Sequence, residues 1–453
     1  MVLIFARRYI ALWQALILIA FLKTKYMRPI KIHISHLGLI RDADIELSPL
    51  MVFSGESGLG KSYVAILCHY FFHVLVNEKR LSSFIKNQYA SHSVDFFNQS
   101  QDVPDSGVAL AFSKTDLENW LAKDAINYLV YMLGCGGMDA DISVQLPDVI
   151  EPNITFTYER ELVGIDNNED LYWKLSVMHL NYRFRQLGIQ DESPYSFLLR
   201  YALIAELFDS NFKALTIDFT FPPSRGSFFT ETIIPQTGLF KSFTDGMRLL
   251  EMADEIPDNV SEDCKQLFQS LMDGDVAKTG EKYVYHTHGD DLPITAAASS
   301  VKEMAPLQLL IKKRDIKTVA VLIEEPEAHL HPLKQRMIAD AIVAMAKYGS
   351  MMQITTHSDY FLRRVNDLVR LHTIQKKMNP SNYKSLCEDM NLNPELTLDP
   401  SILTAYFLER DETGSVKIIR QNVGNGIPFD TLRVINGRPL TDSARLYDLS
   451  LDD

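Results

Sequence analysis

The stretch Gly55-Glu56-Ser57-Gly58-Leu59-Gly60-Lys61-Ser62 decides the fold of this chain. It fits the pattern G-x-x-x-x-G-K-[S/T] without a mismatch, and apolar runs lie before and after it. Glycines let backbone N–H groups surround a phosphate, because no Cβ blocks the turn. We predict a phosphate-binding loop over residues 55–62, in which Lys61 contacts the β- and γ-phosphates of a nucleotide and the Ser62 hydroxyl binds Mg²⁺.

The segments on either side of this loop predict an α/β fold. Upstream, apolar and polar residues alternate over 30–34 and a second apolar run covers 45–53, which predicts two strands. Downstream, the apolar run predicts a helix over about 62–76, whose positive end points at the bound anion. A strand, a glycine-rich loop and a helix in this order are typical of P-loop NTPases. We therefore predict a mixed β-sheet flanked by helices.

Two adjacent carboxylates follow another predicted strand. Residues 318–323 form an apolar run typical of a buried parallel strand, and Glu324 and Glu325 come directly after it. Open α/β sheets bind ligands at the carboxyl ends of their strands, where one carboxylate can bind Mg²⁺ and the next can act as general base toward water. We assign the metal role to Glu324 and the catalytic role to Glu325. The alternative is a solvated strand end, which the break at Pro326 disfavours.

A histidine follows the next predicted strand. Residues 351–356 form an apolar run, and His357 comes directly after it. A single histidine is more often structural than catalytic. Its place after a strand, about 30 residues beyond the two glutamates, favours a catalytic role in which it contacts the γ-phosphate and senses its presence.

Two serines, Ser299 and Ser300, open an apolar helix predicted to extend to about Ile311. Serine is a common N-cap, and that structural role is one interpretation. The other is that this helix start points at the γ-phosphate of a nucleotide bound to another copy of the chain. We prefer the second interpretation, because the helix comes just before the strand that leads to the glutamates.

These motifs occur in the order phosphate-binding loop, serine-rich helix start, Glu324-Glu-Pro-Glu-Ala-His-Leu-His-Pro332 and Thr355-Thr-His-Ser-Asp359. In this order they resemble the OLD and Rad50-like branch of ABC-type ATPases, which includes AAA_15- and AAA_21-like ATP-binding proteins. The resemblance implies ATP and Mg²⁺ as cofactors and a dimer in which two copies meet head to tail. It places Ser299 and Ser300 at the signature motif, acting on the opposite copy, and Glu325 at the catalytic glutamate. It places His357 at the switch histidine and His331 in a loop that touches the opposite subunit.

The sequence departs from the pattern of that family in three respects. Val301 replaces the usual glycine of the signature motif. Glu324 stands where most ABC-type ATPases have aspartate, although the OLD-like branch commonly has glutamate there. The third departure is that neither an aromatic residue stacking on adenine nor a glutamine loop can be placed. Specificity for ATP therefore rests on the resemblance.

The remaining residues divide around the two blocks of motifs. We predict a leader outside the fold over 1–26, the first half of the ATPase core over 27–76, a largely helical insertion over 77–293, the second half of the core over 294–365 and a small C-terminal α/β extension over 366–453. Inside the insertion, the patterns predict a strand over 154–162, a helix over 172–207, a strand over 211–222 and a polar helix over about 244–273. Further strands are predicted over 403–408 and 416–420.

Composition narrows the cellular setting and the partners. The net charge of −13 argues against a surface that coats nucleic-acid backbones. The four cysteines form no C-x-x-C pair, which fits a reducing cytoplasm and disfavours a zinc site or a disulfide framework. The apolar run over 9–22 is shorter than the roughly 20 residues that cross a bilayer. We therefore predict a cytoplasmic protein without a membrane partner.

Three functional hypotheses remain open. The residues after His357 contain neither an acidic nuclease cluster nor the heptads of a long coiled coil. In this respect the chain resembles the ATPase subunits of anti-phage defence systems such as PARIS and Septu. We expect a dimeric or oligomeric ATP-hydrolysing sensor and scaffold, without a nuclease domain of its own, that controls a separate nuclease or toxin. The first alternative is a RecF- or Rad50-like ATPase that binds DNA in repair. The second alternative is the nucleotide-binding subunit of a transporter. It requires a glycine-rich signature motif and a glutamine loop, and neither is evident in this sequence.

Overall fold

The computed structural model describes residues 27–92, 104–165, 168–184, 193–208, 215–230, 234–255, 262–280, 282–287 and 289–428. The predicted leader over 1–26 lies outside these ranges. The chain divides into two compact units. The first comprises the described residues within Met1–Pro29, Val74–Leu117 and Leu146–Leu215, and the second those within Ile30–His73, Glu118–Gln145 and Thr216–Asp453.

The second unit is built on a nine-stranded sheet. Numbered in chain order, its strands are β1 (Lys31–Leu37), β2 (Ile40–Glu46), β3 (Leu50–Gly55), β5 (Ala140–Gln145), β9 (Ile217–Phe221), β13 (Val319–Glu324), β14 (Met351–Thr356), β15 (Leu403–Arg410) and β16 (Val416–Gln421). Their order across the sheet is β5-β1-β2-β16-β15-β3-β14-β13-β9. The strands from β15 to β9 are mutually parallel, whereas β1 pairs antiparallel with β2 and β5. The predicted mixed α/β fold of the P-loop class is therefore confirmed.

The strands at the centre of this sheet are buried along their whole length. Every residue of β3, β13 and β14 is buried, as expected of parallel strands covered on both faces. The strands predicted over 318–323 and 351–356 are confirmed. The prediction of two strands before the phosphate-binding loop was wrong, because three strands precede it. The first two, β1 and β2, form a hairpin around Gly38 and Leu39. Gly38 has φ of 58°, in the left-handed region that a tight hairpin turn uses.

Helices flank the nine-stranded sheet in the second unit. They are α1 (Lys61–Val76), α3 (Lys114–Leu133), α5 (Gly238–Glu251), α6 (Glu262–Met272), α7 (Ser299–Lys313), α8 (Pro332–Tyr348), α9 (Asp359–Lys377) and α10 (Pro380–Asp389), with α1 and α3 extending into the first unit. A 3₁₀ turn over Arg225–Phe229 packs against α7, and α8 packs against α9. A three-stranded antiparallel sheet adds β10 (Gly274–Thr279), β11 (Lys282–Thr287) and β12 (Asp291–Pro293). The helix predicted from 62 to about 76 is confirmed.

The first unit contains a four-stranded antiparallel sheet. Its strands, in the order β4-β6-β7-β8, are β4 (Ser106–Ser113), β6 (Asn153–Ile165), β7 (Asn168–Val177) and β8 (Leu180–Phe184), and its helices are α2 (Glu78–His92) and α4 (Pro194–Leu207). The strand predicted over 154–162 is confirmed.

The helix predicted over 172–207 was wrong in its first part. Residues 172–177 alternate between half-buried and buried positions, with Trp173, Leu175 and Val177 buried, and this period of two is that of a strand. The helix begins only at Pro194. Residues rich in Leu, Tyr and Arg suit either structure, and cross-strand pairing with β6 decides for the strand. The segment 77–293 is consequently mixed rather than largely helical.

The strands predicted over 403–408 and 416–420 are confirmed, and both belong to the nine-stranded sheet. β15 lies parallel to β3, the strand that leads into the phosphate-binding loop. The stacked rings of Phe53 and Tyr406, with centroids 5.5 Å apart, join the two strands. Across the described ranges, no helix is long and apolar enough to cross a membrane.

Candidate nucleotide-binding site

The predicted site residues of the loop, the glutamate pair and His357 meet where three parallel strands end, whereas Ser299 and Ser300 lie at the start of α7. In the register of the sheet, Thr356 of β14 lies opposite Ser54 of β3, and Glu324 of β13 lies opposite Thr355. The phosphate-binding loop, the glutamate pair and His357 therefore emerge at one edge of the sheet. We call this region, formed by residues 55–62, 324–327 and 357, the polar edge.

The phosphate-binding loop needs glycine for two different reasons. Gly58 and Gly60 have φ of 78° and 91°, in the left-handed region that side chains disfavour. At Gly55, with φ of 134°, a Cβ would lie 2.3 Å from the carbonyl oxygen of Leu408 on β15. The path of the loop is thus fixed both by its own backbone and by the neighbouring strand.

Lys61, the first residue of α1, reaches back across the loop. Its Nζ donates to the carbonyl oxygens of Gly55, at 3.0 Å, and Glu56, at 2.7 Å. The residue is only 6% exposed. Burial lowers the pKa of Lys61 to about 8, although the carboxylates of Glu325 and Glu327 act in the opposite direction. A partly desolvated ammonium group held inside the loop is well placed to bind a phosphate anion.

His357 connects the lysine to the predicted catalytic glutamate. Its Nδ1 lies 3.5 Å from Lys61 Nζ, and its Nε2 lies 3.4 Å from Glu325 Oε1 and 3.5 Å from Ser57 Oγ. Because an ammonium group only donates, Nδ1 is the acceptor and Nε2 carries the proton that faces Glu325. The contact with His357 is the main cause that lowers the pKa of Glu325, although burial opposes it.

Glu324 is buried with one carboxylate oxygen lacking a partner. Oε1 has no hydrogen bond, while the carboxylate is also hydrogen-bonded by the Ser62 side chain. Burial raises the pKa of Glu324. A buried unsatisfied oxygen is costly, and a hydroxyl beside a carboxylate is an oxygen donor set that suits Mg²⁺. These two residues therefore fit the metal role predicted for them.

The protein alone does not enclose a metal ion at this edge. Among the described residues, no group of three or more His, Cys, Asp and Glu side chains forms a metal site. Mg²⁺ is commonly held by one or two protein oxygens together with substrate phosphates and water. Ser62 and Glu324 suit that shared mode of binding.

Glu327 belongs to the motif over 324–332, but its role cannot be predicted from the sequence. Its Oε1 accepts hydrogen bonds from the Thr356 hydroxyl and from the His357 backbone N–H, both at 2.7 Å. Burial raises the pKa of Glu327, and these hydrogen bonds oppose the shift. Glu327 thereby holds the backbone of the histidine beside the glutamate turn.

Arg225 was missed altogether. It is fully buried and donates to the carbonyl oxygens of Glu303, Glu324 and Pro326 at 2.9, 3.1 and 3.3 Å. Arg225 follows the two prolines at the end of the strand-like run over 211–222. An arginine in such a loop carries no local indication of burial, so the sequence alone does not identify it.

The serines of α7 do not act as caps. The N-cap of α7 is Ala298, without a side-chain cap, and the helix begins at Ser299. Ser299 is exposed and Ser300 is half-buried, and in the described part of the chain neither hydroxyl has a hydrogen bond. The structural interpretation of these serines as caps was therefore wrong. His331 does cap a helix, because its Nδ1 accepts a hydrogen bond from the Leu333 N–H at the start of α8.

Comparison with known sequences supports the class of protein. Residues 241–362 match the sequence model of the AAA_15 family, described as an AAA ATPase domain. This segment is therefore similar to an AAA ATPase domain. The matched segment contains α7, both glutamates and His357, and it covers a minority of the chain. No protein of curated function matches the chain.

Comparison with solved structures gives distant similarities to SMC heads. An SMC head bound to the C-terminal winged-helix domain of ScpA is 12% identical, with a TM-score of 0.37 and 88% of this chain and 98% of the other covered. The SMC head domain from Thermotoga maritima is 12% identical, with a TM-score of 0.32 and coverage of 88% and 100%. An SMC head with an extended coiled coil, bound to the C-terminal domain of ScpA from Pyrococcus furiosus, is 11% identical, with a TM-score of 0.37 and coverage of 93% and 99%.

Proposed function

We propose that this protein binds ATP at the polar edge and hydrolyses it to ADP and phosphate. The observation that carries the proposal is the chain of contacts from Lys61 through His357 to Glu325. It joins a phosphate-binding cation, a γ-phosphate sensor and a general base, which are the parts that ATP hydrolysis requires. Residues 55–62 bind the phosphates through their backbone N–H groups and the Lys61 ammonium.

Glu325 acts as the general base. Its pKa is lowered by His357, so the carboxylate is ionised at neutral pH and can accept a proton from the attacking water. Before ATP binds, the Nε2–H group of His357 donates a hydrogen bond to Glu325. After ATP binds, it donates a hydrogen bond to the γ-phosphate instead, which leaves Glu325 free to orient water. Ser62 and Glu324 would hold Mg²⁺, which would supply positive charge to offset that of the phosphates.

The site is completed by a second copy of the chain. Ser299 and Ser300 begin α7 with hydroxyls that make no hydrogen bond within the described part of the chain. A helix start favours an anion, because its first N–H groups and its dipole present positive charge. In the proposed dimer, each pair of serines contacts the γ-phosphate bound by the opposite copy. The buried Val301 that follows them replaces the usual signature glycine.

ATP turnover by the purified chain tests this proposal. We expect Mg²⁺-dependent phosphate release that rises more steeply than linearly with protein concentration, because the closed site needs two copies. Lys61→Ala removes the loop cation and should weaken binding of a fluorescent ATP analogue about 100-fold. Lys174→Met, on the four-stranded sheet, is the control and should bind normally. Turnover that survives Lys61→Ala after rigorous purification contradicts the proposal.

The cellular role that we propose is that of a sensor and scaffold in bacterial anti-phage defence. The dimer, or a larger oligomer, holds a separate nuclease or toxin, and hydrolysis directed by Glu325 resets the assembly. The order of motifs supports this role through its resemblance to the ATPase subunits of such systems. The net charge of −13 makes a general DNA-coating function less favourable.

A tagged pull-down from the native host separates this role from DNA repair. It compares the wild type with Glu325→Gln, both with and without ATP. A stoichiometric protein partner whose retention depends on the nucleotide supports the scaffold role. Recovery of DNA together with repair factors, without such a partner, supports the RecF- or Rad50-like alternative instead.

A further inference from the structure

Arg225 occupies an unusual position for a charged side chain. It is 0% exposed, and its guanidinium group lies among carbonyl groups of three segments, namely its own loop, α7 and the glutamate turn. Burying an arginine is costly unless most of its N–H groups are hydrogen-bonded. The contacts that compensate for this cost identify what the residue holds together.

On one side, Arg225 is hydrogen-bonded to the turn around Glu325. It donates to the carbonyl oxygen of Glu324 at 3.1 Å and to that of Pro326 at 3.3 Å, the residues directly before and after Glu325. Glu325 itself has φ of 47°, in the left-handed region that non-glycine residues rarely adopt. Such a conformation persists only where its surroundings over-determine it, and here the carbonyls on both sides are fixed.

On the other side, Arg225 is hydrogen-bonded to α7. Its Nε donates to the Glu303 carbonyl oxygen at 2.9 Å and lies 3.7 Å from Glu303 Oε2. The adjacent Gly226 donates its N–H to Glu303 Oε1 at 3.2 Å, and a Cβ there would lie 2.9 Å from the Lys302 Cβ. Glu303 stands about one helical turn after Ser299, the start of the same helix.

From this geometry we infer that Arg225 is a positioning residue, which holds Glu325 in its catalytic conformation and ties that conformation to the position of α7. The inference rests on the proposed function, in which the start of α7 contacts ATP on the opposite copy. Closure of the dimer moves α7, and the guanidinium fork transmits that movement to the carbonyls beside Glu325. A second copy therefore sets the geometry of the base in each active site.

The shape of the guanidinium group gives a selective variant. Arg225→Lys keeps the positive charge beside Glu303, but an ammonium group cannot reproduce a planar fork that reaches several carbonyls. We expect kcat for ATP to fall at least about tenfold while KM changes less than about twofold, because phosphate binding is untouched. Hydrogen exchange should quicken in the peptide that spans Glu325 and stay unchanged in the phosphate-binding loop.

Arg364→Lys is the matched control. Arg364 is also a buried arginine, and its Nε donates to Asp340 at 2.6 Å, which joins α8 and α9. It should lose thermal stability without a selective fall in kcat. If Arg225→Lys does not fold, Glu303→Gln keeps the acceptor for the Gly226 N–H and removes the charge facing Arg225. It should show a smaller fall in kcat, again with KM preserved.

A double variant tests whether Arg225 acts through Glu325. In the Glu325→Gln background, Arg225→Lys should reduce the residual rate less than about twofold, because the group that it positions is already lost. Equal falls in the two backgrounds, or normal kcat in Arg225→Lys, would overturn the inference. Absence of ATP turnover in the wild type would instead overturn the proposed function, while the hydrogen-exchange comparison would still test whether Arg225 holds the turn.

Discussion

Two regions of the molecule treat charged side chains in opposite ways. On the four-stranded sheet, Lys174 Nζ lies 3.4 Å from Glu159 and 3.7 Å from Glu161, and Arg183 Nε lies 2.7 Å from Glu161. At the polar edge, Glu324 Oε1 and Glu327 Oε2 are buried without hydrogen-bond partners. The sheet pairs its charges across neighbouring strands and needs nothing further. The polar edge leaves carboxylate oxygens unsatisfied where we propose that ATP and Mg²⁺ bind, and such local exceptions are typical of functional sites.

The largest expected effect separates the two regions by catalysis. Glu325→Gln should lower ATP turnover by about 10² to 10⁴-fold, because the general base is lost while phosphate binding is kept. ATP should therefore trap the closed dimer, visible as a larger species in size-exclusion chromatography with light scattering. Glu161→Gln, a carboxylate of the four-stranded sheet, is the control and should turn over ATP normally. A monomeric Glu325→Gln protein in saturating ATP would contradict the dimer.

The next effect tests whether the polar edge is complete within one copy. Ser300→Arg places a long side chain at the start of α7 and should lower turnover by at least about tenfold by blocking closure. Binding of a fluorescent ATP analogue to a single copy should change little, since the loop over 55–62 is intact. Turnover equal to that of the wild type would refute the head-to-tail arrangement. Lys313→Ala, at the other end of the same helix, serves as the control and should turn over ATP normally.

A pH titration tests the charge state of the buried lysine. Well below pH 8, Lys61 is protonated with or without ATP, so in that range it contributes no pH dependence. Above its lowered pKa of about 8, binding of the triphosphate raises that pKa and takes up a proton, so ATP affinity falls as pH rises. We expect a loss of about five- to tenfold between pH 7.5 and 9, measured at constant ionic strength. Lys61→Arg should flatten the curve, and a flat curve in the wild type would contradict the lowered pKa.

The smallest effect belongs to the four-stranded sheet. Lys174→Met removes an ammonium group from partners of which Glu159 is mostly exposed. Such pairs contribute little, so the free energy of unfolding should change by less than about 1 kcal/mol in urea denaturation. Turnover of ATP should not change. A loss of more than about 2 kcal/mol in the free energy of unfolding would mean that the ion pairs of the four-stranded sheet matter as much as the polar edge. The contrast between the two regions would then fail.

The sequence predicts the residues of the polar edge better than it predicts the buried residues that hold them in place. The phosphate-binding loop, Glu324, Glu325 and His357 each follow a short apolar strand, and parallel strands that end together bring their next residues to one edge. These signals are local, so they can be read along the chain. The same reading places β13 and β14 correctly, because a run of buried residues leaves little alternative to a central strand.

The supporting residues depend on contacts between distant segments. Arg225 meets Glu303 and Glu324 across 78 and 99 residues of sequence, and nothing near it in the chain distinguishes it from a solvated arginine. Glu327 is quoted in a motif, but its bonds to Thr356 and His357 appear only once two strands are placed side by side. Strand β7 was mistaken for helix because its partner β6 decides the pairing.

The place of β15 beside the phosphate-binding strand has a consequence for biosynthesis. Glu46 and Tyr406 share a hydrogen bond across 360 residues, and Gly55 lies against Leu408. On the ribosome, β3 leaves the exit tunnel long before either parallel neighbour has been translated. Pairings of such high sequence separation form slowly, and unpaired strand edges invite aggregation while they wait. We expect nascent chains released before residue 403 to be unable to retain ATP, so that nucleotide capture has to await translation of β15.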